Sequence, residues 1–213
     1  MKEVRDCFVN AIKDEKKGQK HKGLLITKSD DKIAKEYLAK AKINLQLCDL
    51  YKEQGFDYKI PEEWFYTLYY CALAILAKFG IESRSQKCTA SFLRYAKDKN
   101  LIDYDDEFID RITVYRAKEE KSDVDEREKA RYNSSIKSKE IESKYEYMTD
   151  ICKKAISQCE EIIFSNKKFE IPKELYEWLY VSKTSNLFFS IKELIIWGMI
   201  NVWCTNWELL VHS

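Results

Sequence analysis

Turn-forming residues are scarce in this chain. Five glycines and two prolines in 213 residues are too few for an all-β sandwich or barrel, which needs turn residues about every ten positions. Charge of one sign is also missing: 37 Lys+Arg against 36 Asp+Glu leave a net +1, so no global field steers the chain to nucleic acid or an anionic membrane. Any such contact has to come from a local patch. The cysteines stand singly at Cys7, Cys48, Cys71, Cys88, Cys152, Cys159 and Cys204, with no CxxC pair, and the two histidines, His21 and His212, lie near opposite ends. That spacing argues against a zinc site, and no cofactor is expected. Glycine-rich phosphate loops, HExxH and GxSxG are absent, which removes the common metallohydrolase and serine-hydrolase chemistries. Residues 1–20 are charged and periodic and lack the apolar core of a signal peptide. The expected setting is therefore cytoplasmic, with reduced thiols acting as small core residues.

What the chain does have is helical periodicity, with 45% hydrophobic and 34% charged residues. Val4, Cys7, Phe8, Ala11 and Ile12 share one face of a first helix, ending in the basic connector Lys16–Gly23, in which His21 reads as exposed. Ser29 is the expected N-cap of a second helix, with Asp30 and Asp31 in its first turn. Its face runs through Ala34, Tyr37, Leu38, Ala41, Leu45, Cys48 and Tyr51 up to Gly55. Pro61 suits the first turn of a third helix, in which Trp64, Phe65, Leu68, Tyr69, Ala72, Ile75, Leu76 and Phe79 spread the apolar arc nearly all round. Such a helix belongs at the centre of a bundle. Tyr66, Tyr69 and Tyr70 should be mostly core, with hydroxyls at the rim. Gly80 ends it; Glu82–Gln86 reads as a polar turn, and Arg84 and Gln86 as cap or polar-contact residues. Ser85 caps a helix carrying Cys88, Phe92, Leu93 and Ala96, and Asn100 closes it. Asp105 and Asp106 start another helix, with Phe108, Ile109, Ile112, Tyr115 and Arg116 on one side.

Residues 118–139 carry little that is apolar and read as a long loop or frayed helix ends, a kind of segment that is often functional. The clearest seam follows: Ile141, Tyr145, Met148, Cys152, Ala155, Cys159 and Ile162 alternate four- and three-residue steps. It asks for a partner along roughly 33 Å of helix at 1.5 Å per residue. Composition shifts after Asn166, and Trp178, Trp197, Trp203 and Trp207 crowd the tail. Its uncharged run, Leu194–Trp207, is 14 residues long, short of the ~20 that a bilayer demands, so a docked helix is expected and no membrane span. These patterns predict an all-α, up-and-down antiparallel helical bundle over residues 1–166, with an aromatic-rich helical extension over 167–213.

One constellation carries candidate chemistry. Glu126–Ser135 sets Arg127, Lys129, Arg131 and Tyr132 beside Asn133 and Ser134, and Arg111 and Arg116 precede it. Guanidinium groups grip phosphate bidentately and a tyrosine ring can stack on a base, so RNA contact is chemically reasonable. The bland alternative is a solvated surface, since residues 111–140 hold nine basic and seven acidic groups.

The stretches Glu-Tyr-Leu-x-Lys-Ala-x-x-Asn-Leu (Glu36–Leu45) and Trp-Phe-Tyr-x-x-Tyr-Tyr-Cys-Ala-Leu-Ala-Ile-Leu-Ala-Lys-Phe-Gly-Ile-Glu-Ser-Arg-Ser-Gln-Lys-Cys-Thr (Trp64–Thr89) resemble prokaryotic HEPN-domain proteins. Arg127–Tyr132 falls where that family has its signature loop, and the resemblance spans about residues 5–165. It implies an up-and-down helical bundle, a homodimer, and a toxin–antitoxin setting beside a small nucleotidyltransferase partner. Active members of the family look like metal-independent ribonucleases carrying Arg-x(4–6)-His. Here Arg127 matches the arginine, but Tyr132, Asn133 and Ser134 stand where the histidine is expected. An unperturbed tyrosine is only ~0.1% phenolate at pH 7 and a poor base. The resemblance thus implies an RNA- or nucleotide-binding or partner subunit with weak or no nuclease activity. The alternative is a ribonuclease acting through Arg127 and Tyr132 at a dimer interface. Arg111, Arg116, Lys129, Arg131, Asn133 and Ser134 would hold RNA phosphate.

Overall fold

The computed structural model describes residues 2–113, 138–167, 169 and 171–176. Contacts divide the chain after Ile171. Beyond that point the described residues include one helical turn, 173–176, in which Pro172 C=O accepts from Leu175 N–H. The tail tryptophans expected to dock lie outside the described residues.

The first unit is helical. In chain order it holds α1 (Lys2–Lys16), β1 (Leu24–Ile26), α2 (Asp31–Glu53), a 3₁₀ turn (Asp57–Lys59), α3 (Ile60–Phe79), β2 (Ile81–Ser83), α4 (Gln86–Asp98), α5 (Asp106–Arg111) and α6 (Ser138–Phe164). Each α2 and α3 boundary has a local cause. Asp30 caps α2, its carboxylate accepting from Lys32 and Ile33 N–H. The Ser29 hydroxyl, expected in that role, donates instead to Lys78 C=O at 2.7 Å, and so ties the start of α2 to the end of α3. Pro61 sits in the first turn of α3, and Gly80 ends the helix in the left-handed region at φ 72°. A side chain at Gly80 would also strike the backbone of residues 27–29. Ser85 caps α4 by accepting from Cys88 N–H.

α3 is the central helix, packed against both α2 and α6. Trp64, Phe65, Leu68, Cys71, Ala72, Ile75 and Leu76 are all fully buried or nearly so. The whole expected seam of α6, Ile141 through Ile162, is buried as well. Full burial of each large apolar chain contributes about 1.5–3 kcal/mol, so this three-helix contact carries much of the stability. Cys159 Sγ meets Cys71 C=O at 3.4 Å across the seam.

Three expectations are corrected. The polar turn is not simply a turn: Ile81–Ser83, which takes in its first two residues, pairs antiparallel with Leu24–Ile26 just past the connector, Leu25 facing Glu82. Three-residue strands are too short to show alternation, which is why periodicity missed them. His21 is not exposed but 97% buried, at 3% accessibility, because pairing of β1 pulls the connector onto the helices. The thiols are not all reduced: Cys7 of α1 and Cys88 of α4 form a disulfide with 5.8 Å between Cα atoms, whereas Cys48, Cys71, Cys152 and Cys159 are free and buried. Gly23 lets this arm close, since a Cβ there would collide with Cys7 C=O. Among the described residues no helix is long and apolar enough to cross a membrane.

Candidate functional site

In sequence the basic constellation falls between α5 and α6. Arg116, Arg127, Lys129, Arg131, Tyr132, Asn133 and Ser134 lie outside the described residues. Arg111 is described, and so are the walls from which the segment departs. α5 is a short helix whose apolar face, Phe108 and Ile109, is buried. That face anchors it, and its polar residues then build a lattice. Arg111 Nη2 donates to Glu107 Oε1 at 2.9 Å and to Tyr147 Oη at 3.3 Å, while Nη1 lies 3.2 Å from Met148 Sδ. Tyr147 Oη donates in turn to the same Glu107 oxygen at 2.8 Å. The hydrogen bond from Arg111 holds the Glu107 carboxyl below its usual value against the opposing effect of burial, and Tyr147 adds to it. The Arg111 charge is therefore matched by Glu107, and its guanidinium works as a tie between α5 and α6.

A second arginine closes the same corner. Arg94 of α4 pairs with Asp110 at 2.6 Å and donates to Thr113 Oγ1 at 3.0 Å, while the Thr113 hydroxyl donates to Ile109 C=O at 2.7 Å. Asp105 N–H donates to Gln158 of α6 at 2.9 Å. The last described residues before the segment are thus fastened to α4 and α6 together. Met148 is ten residues into α6, so the helix reaches about 15 Å past the Arg111 tie toward its own start. That overhang is supported by Tyr145, whose hydroxyl donates to Asp49 of α2 at 2.6 Å beneath the Lys52 ammonium, 3.9 Å from the ring centroid.

Among the described residues, His21 and the buried thiols are held in structural contacts. His21 Nδ1 accepts from Gly23 N–H at 3.4 Å, so its proton sits on Nε2, 3.3 Å from Glu82 Oε1. With both ring nitrogens engaged, His21 fastens the connector to β2. Burial pushes the Glu82 carboxyl up, but hydrogen bonds from Arg84 and His21 outweigh it and bring the group below its usual value. The Arg84 Nε donates to Glu82 at 2.7 Å, a contact within the turn. The Cys71 thiol is pushed well up by its hydrogen bond with Cys159 and by burial, and the Cys48 thiol by burial first. Protonated, enclosed thiols are poor nucleophiles. Among the described residues no three His, Cys, Asp or Glu side chains are placed to hold a metal ion.

What sequence reading missed lies on the open side of α2 and α3. Tyr37 stacks on Tyr70 with centroids 6.0 Å apart and planes at 20°, and Tyr66 on Tyr70 at 5.8 Å and 26°. Lys40 caps the group, its ammonium 5.5 Å from the Tyr37 centroid and 5.8 Å from that of Tyr70. Tyr37, Tyr66, Tyr69 and Tyr70 are only half-buried. The signal was present: Tyr37 and Lys40 at i, i+3 on one helix, Glu63, Tyr66 and Tyr70 at i, i+3, i+7 on the next. No family model, curated protein or solved structure matches this chain.

Proposed function

We propose that the chain is a HEPN-like helical domain that binds RNA, or a nucleotide-handling protein partner, through the segment holding Arg116, Arg127, Lys129, Arg131, Tyr132, Asn133 and Ser134. In this reading it is one half of a toxin–antitoxin-type or nucleotidyltransferase-associated pair, assembles as a homodimer, and cleaves RNA weakly or not at all. The supporting observation is the Arg111–Glu107–Tyr147 tie. It fastens α5 to α6, the elements on either side of the arginine-rich stretch in sequence, and a fixed frame lowers the entropy lost on binding.

The chemistry follows from the residue types. Arginine forks match phosphate oxygens, and lysine adds a point charge. The neutral phenol of Tyr132 serves stacking and hydrogen bonding better than proton abstraction. Incubating the purified full chain with a mixed RNA pool, beside Arg127→Ala, tests this. The expected result is binding without products, weakening steeply between about 50 and 200 mM salt as phosphate contacts are screened, and weaker still in Arg127→Ala. Cleavage that vanishes in Arg127→Ala would replace the reading with the ribonuclease acting through Arg127 and Tyr132. Absence of any RNA binding would leave the protein-partner role alone.

A further inference from the structure

The tyrosine face between α2 and α3 has properties that a solvated surface does not need. Its rings are stacked and half-buried. Burial pushes the Tyr69 and Tyr70 hydroxyls up from their usual value, so these phenols are neutral at any physiological pH. Two charges of opposite sign flank them. Lys40 is exposed, with its ammonium over the Tyr37 and Tyr70 rings, and among the described residues no carboxylate pairs with it. Glu63, one turn before Tyr66, is half-buried, and no cation within the described residues forms an ion pair with it. Burial, and then the neighbouring charge of Glu62, push its carboxyl up, against the pull of Lys59. Among the described residues, a partly desolvated carboxylate and an ammonium without a carboxylate partner thus share one neutral aromatic face.

A twofold axis would complete both at once. In an isologous contact the same patch meets itself, so a patch carrying one cation and one anion is self-complementary. We propose that this face is where two copies of the chain meet. The Tyr37, Tyr66 and Tyr70 rings form the centre of the contact, and Lys40 of each copy pairs with Glu63 of the partner subunit. Tyrosine suits such a centre because it supplies large area at low entropic cost. Single-stranded nucleic acid fits the face less well, since Glu63 repels phosphate and Lys40 supplies only one cation. The inference gives a surface to the two-copy association in the reading above, and its test reads mass, independent of RNA.

Sedimentation of the full chain over a concentration series, with Lys40→Glu, Glu63→Lys and the double exchange, decides it. The wild type should be dimeric. Each single variant, which sets like charges opposite each other, should raise the dimer dissociation constant by about tenfold or more. The double exchange should recover most of that loss, because the pair is restored in reverse. Circular dichroism matched to wild type confirms that the variants are folded. A wild type that stays monomeric, a dimer indifferent to both single exchanges, or a double exchange that restores nothing would each overturn the assignment. Loss of the RNA reading with the charge-swap rescue intact would leave this interface standing, and intact RNA binding by a monomer would do the reverse.

Discussion

The two sides of α3 are built from similar letters and do different things. Toward α6, Trp64 and Cys71 are closed over by Tyr145, Cys152 and Cys159, with the Trp64 and Tyr145 rings 5.9 Å apart. On its other side, Tyr66 and Tyr70 are stacked and half-buried. Both sides are aromatic, so hydropathy does not distinguish them. What differs is where polar atoms go. On the sheathed side Trp64 Nε1 and Tyr104 Oη are enclosed with no hydrogen-bond partner among the described residues, a cost that packing has to offset. On the other side Tyr37, Tyr66 and Tyr70 are half-buried, and burial pushes the Tyr70 hydroxyl up from its usual value.

The largest contrast should appear in stability. Trp64→Ala on the sheathed side is expected to cost about 3–5 kcal/mol in denaturant unfolding. Trp64→Phe should cost far less than that, because the lost Nε1–H had no acceptor to satisfy it. A tryptophan-to-phenylalanine loss as large as the alanine loss would mean the indole N–H is bonded after all. Next comes the covalent arm. Reducing Cys7–Cys88, which closes a loop of 81 residues, should lower stability by roughly 2–4 kcal/mol, read as a drop in unfolding midpoint with and without reductant. On the open side Tyr70→Ala should cost only about 1 kcal/mol in the isolated chain, with its main effect on self-association. A loss equal to that of Trp64→Ala would erase the distinction between the two sides.

The smallest effect concerns the α5–α6 tie and acid. Glu107 ordinarily titrates at 4.5 and is held lower by Arg111 and Tyr147. A depressed carboxyl stabilises the fold fully above its unfolded value and loses that contribution as pH falls through the folded one, so the tie should loosen as pH falls below the ordinary 4.5. Because Glu107 is largely exposed, the effect is modest. Protection of residues 106–113 against hydrogen exchange, corrected for the intrinsic rate at each pH, should fall with pH in wild type and stay at one lower level in Glu107→Gln, which has no carboxyl to titrate.

Much of the fold was legible because long helices repeat their message. The α6 seam from Ile141 to Ile162 needed no more than spacing, and Pro61, Gly80 and Ser85 mark ends through backbone preferences that act locally. What was not legible depends on contacts distant in sequence. The β1–β2 pair joins residues separated by more than fifty positions, and His21 is buried only because that pairing forms. The N-cap of α2 shifted from Ser29 to Asp30 because Lys78 C=O, at the far end of α3, claimed the serine hydroxyl. The cysteine pair likewise depends on α1 folding back on α4. Of the candidate site, Arg111 illustrates the limit: its charge was evident, while its engagement with Glu107 and Tyr147 required the packing of α5 on α6.

The most direct test of the functional reading is to crosslink the full chain to photoreactive single-stranded RNA and identify the attached peptides. The account predicts attachment within residues 114–137, centred on the stretch from Arg127 to Ser134, and lost in high salt. Attachment at Tyr37, Tyr66 or Tyr70, with the 114–137 peptides unmarked, would contradict it.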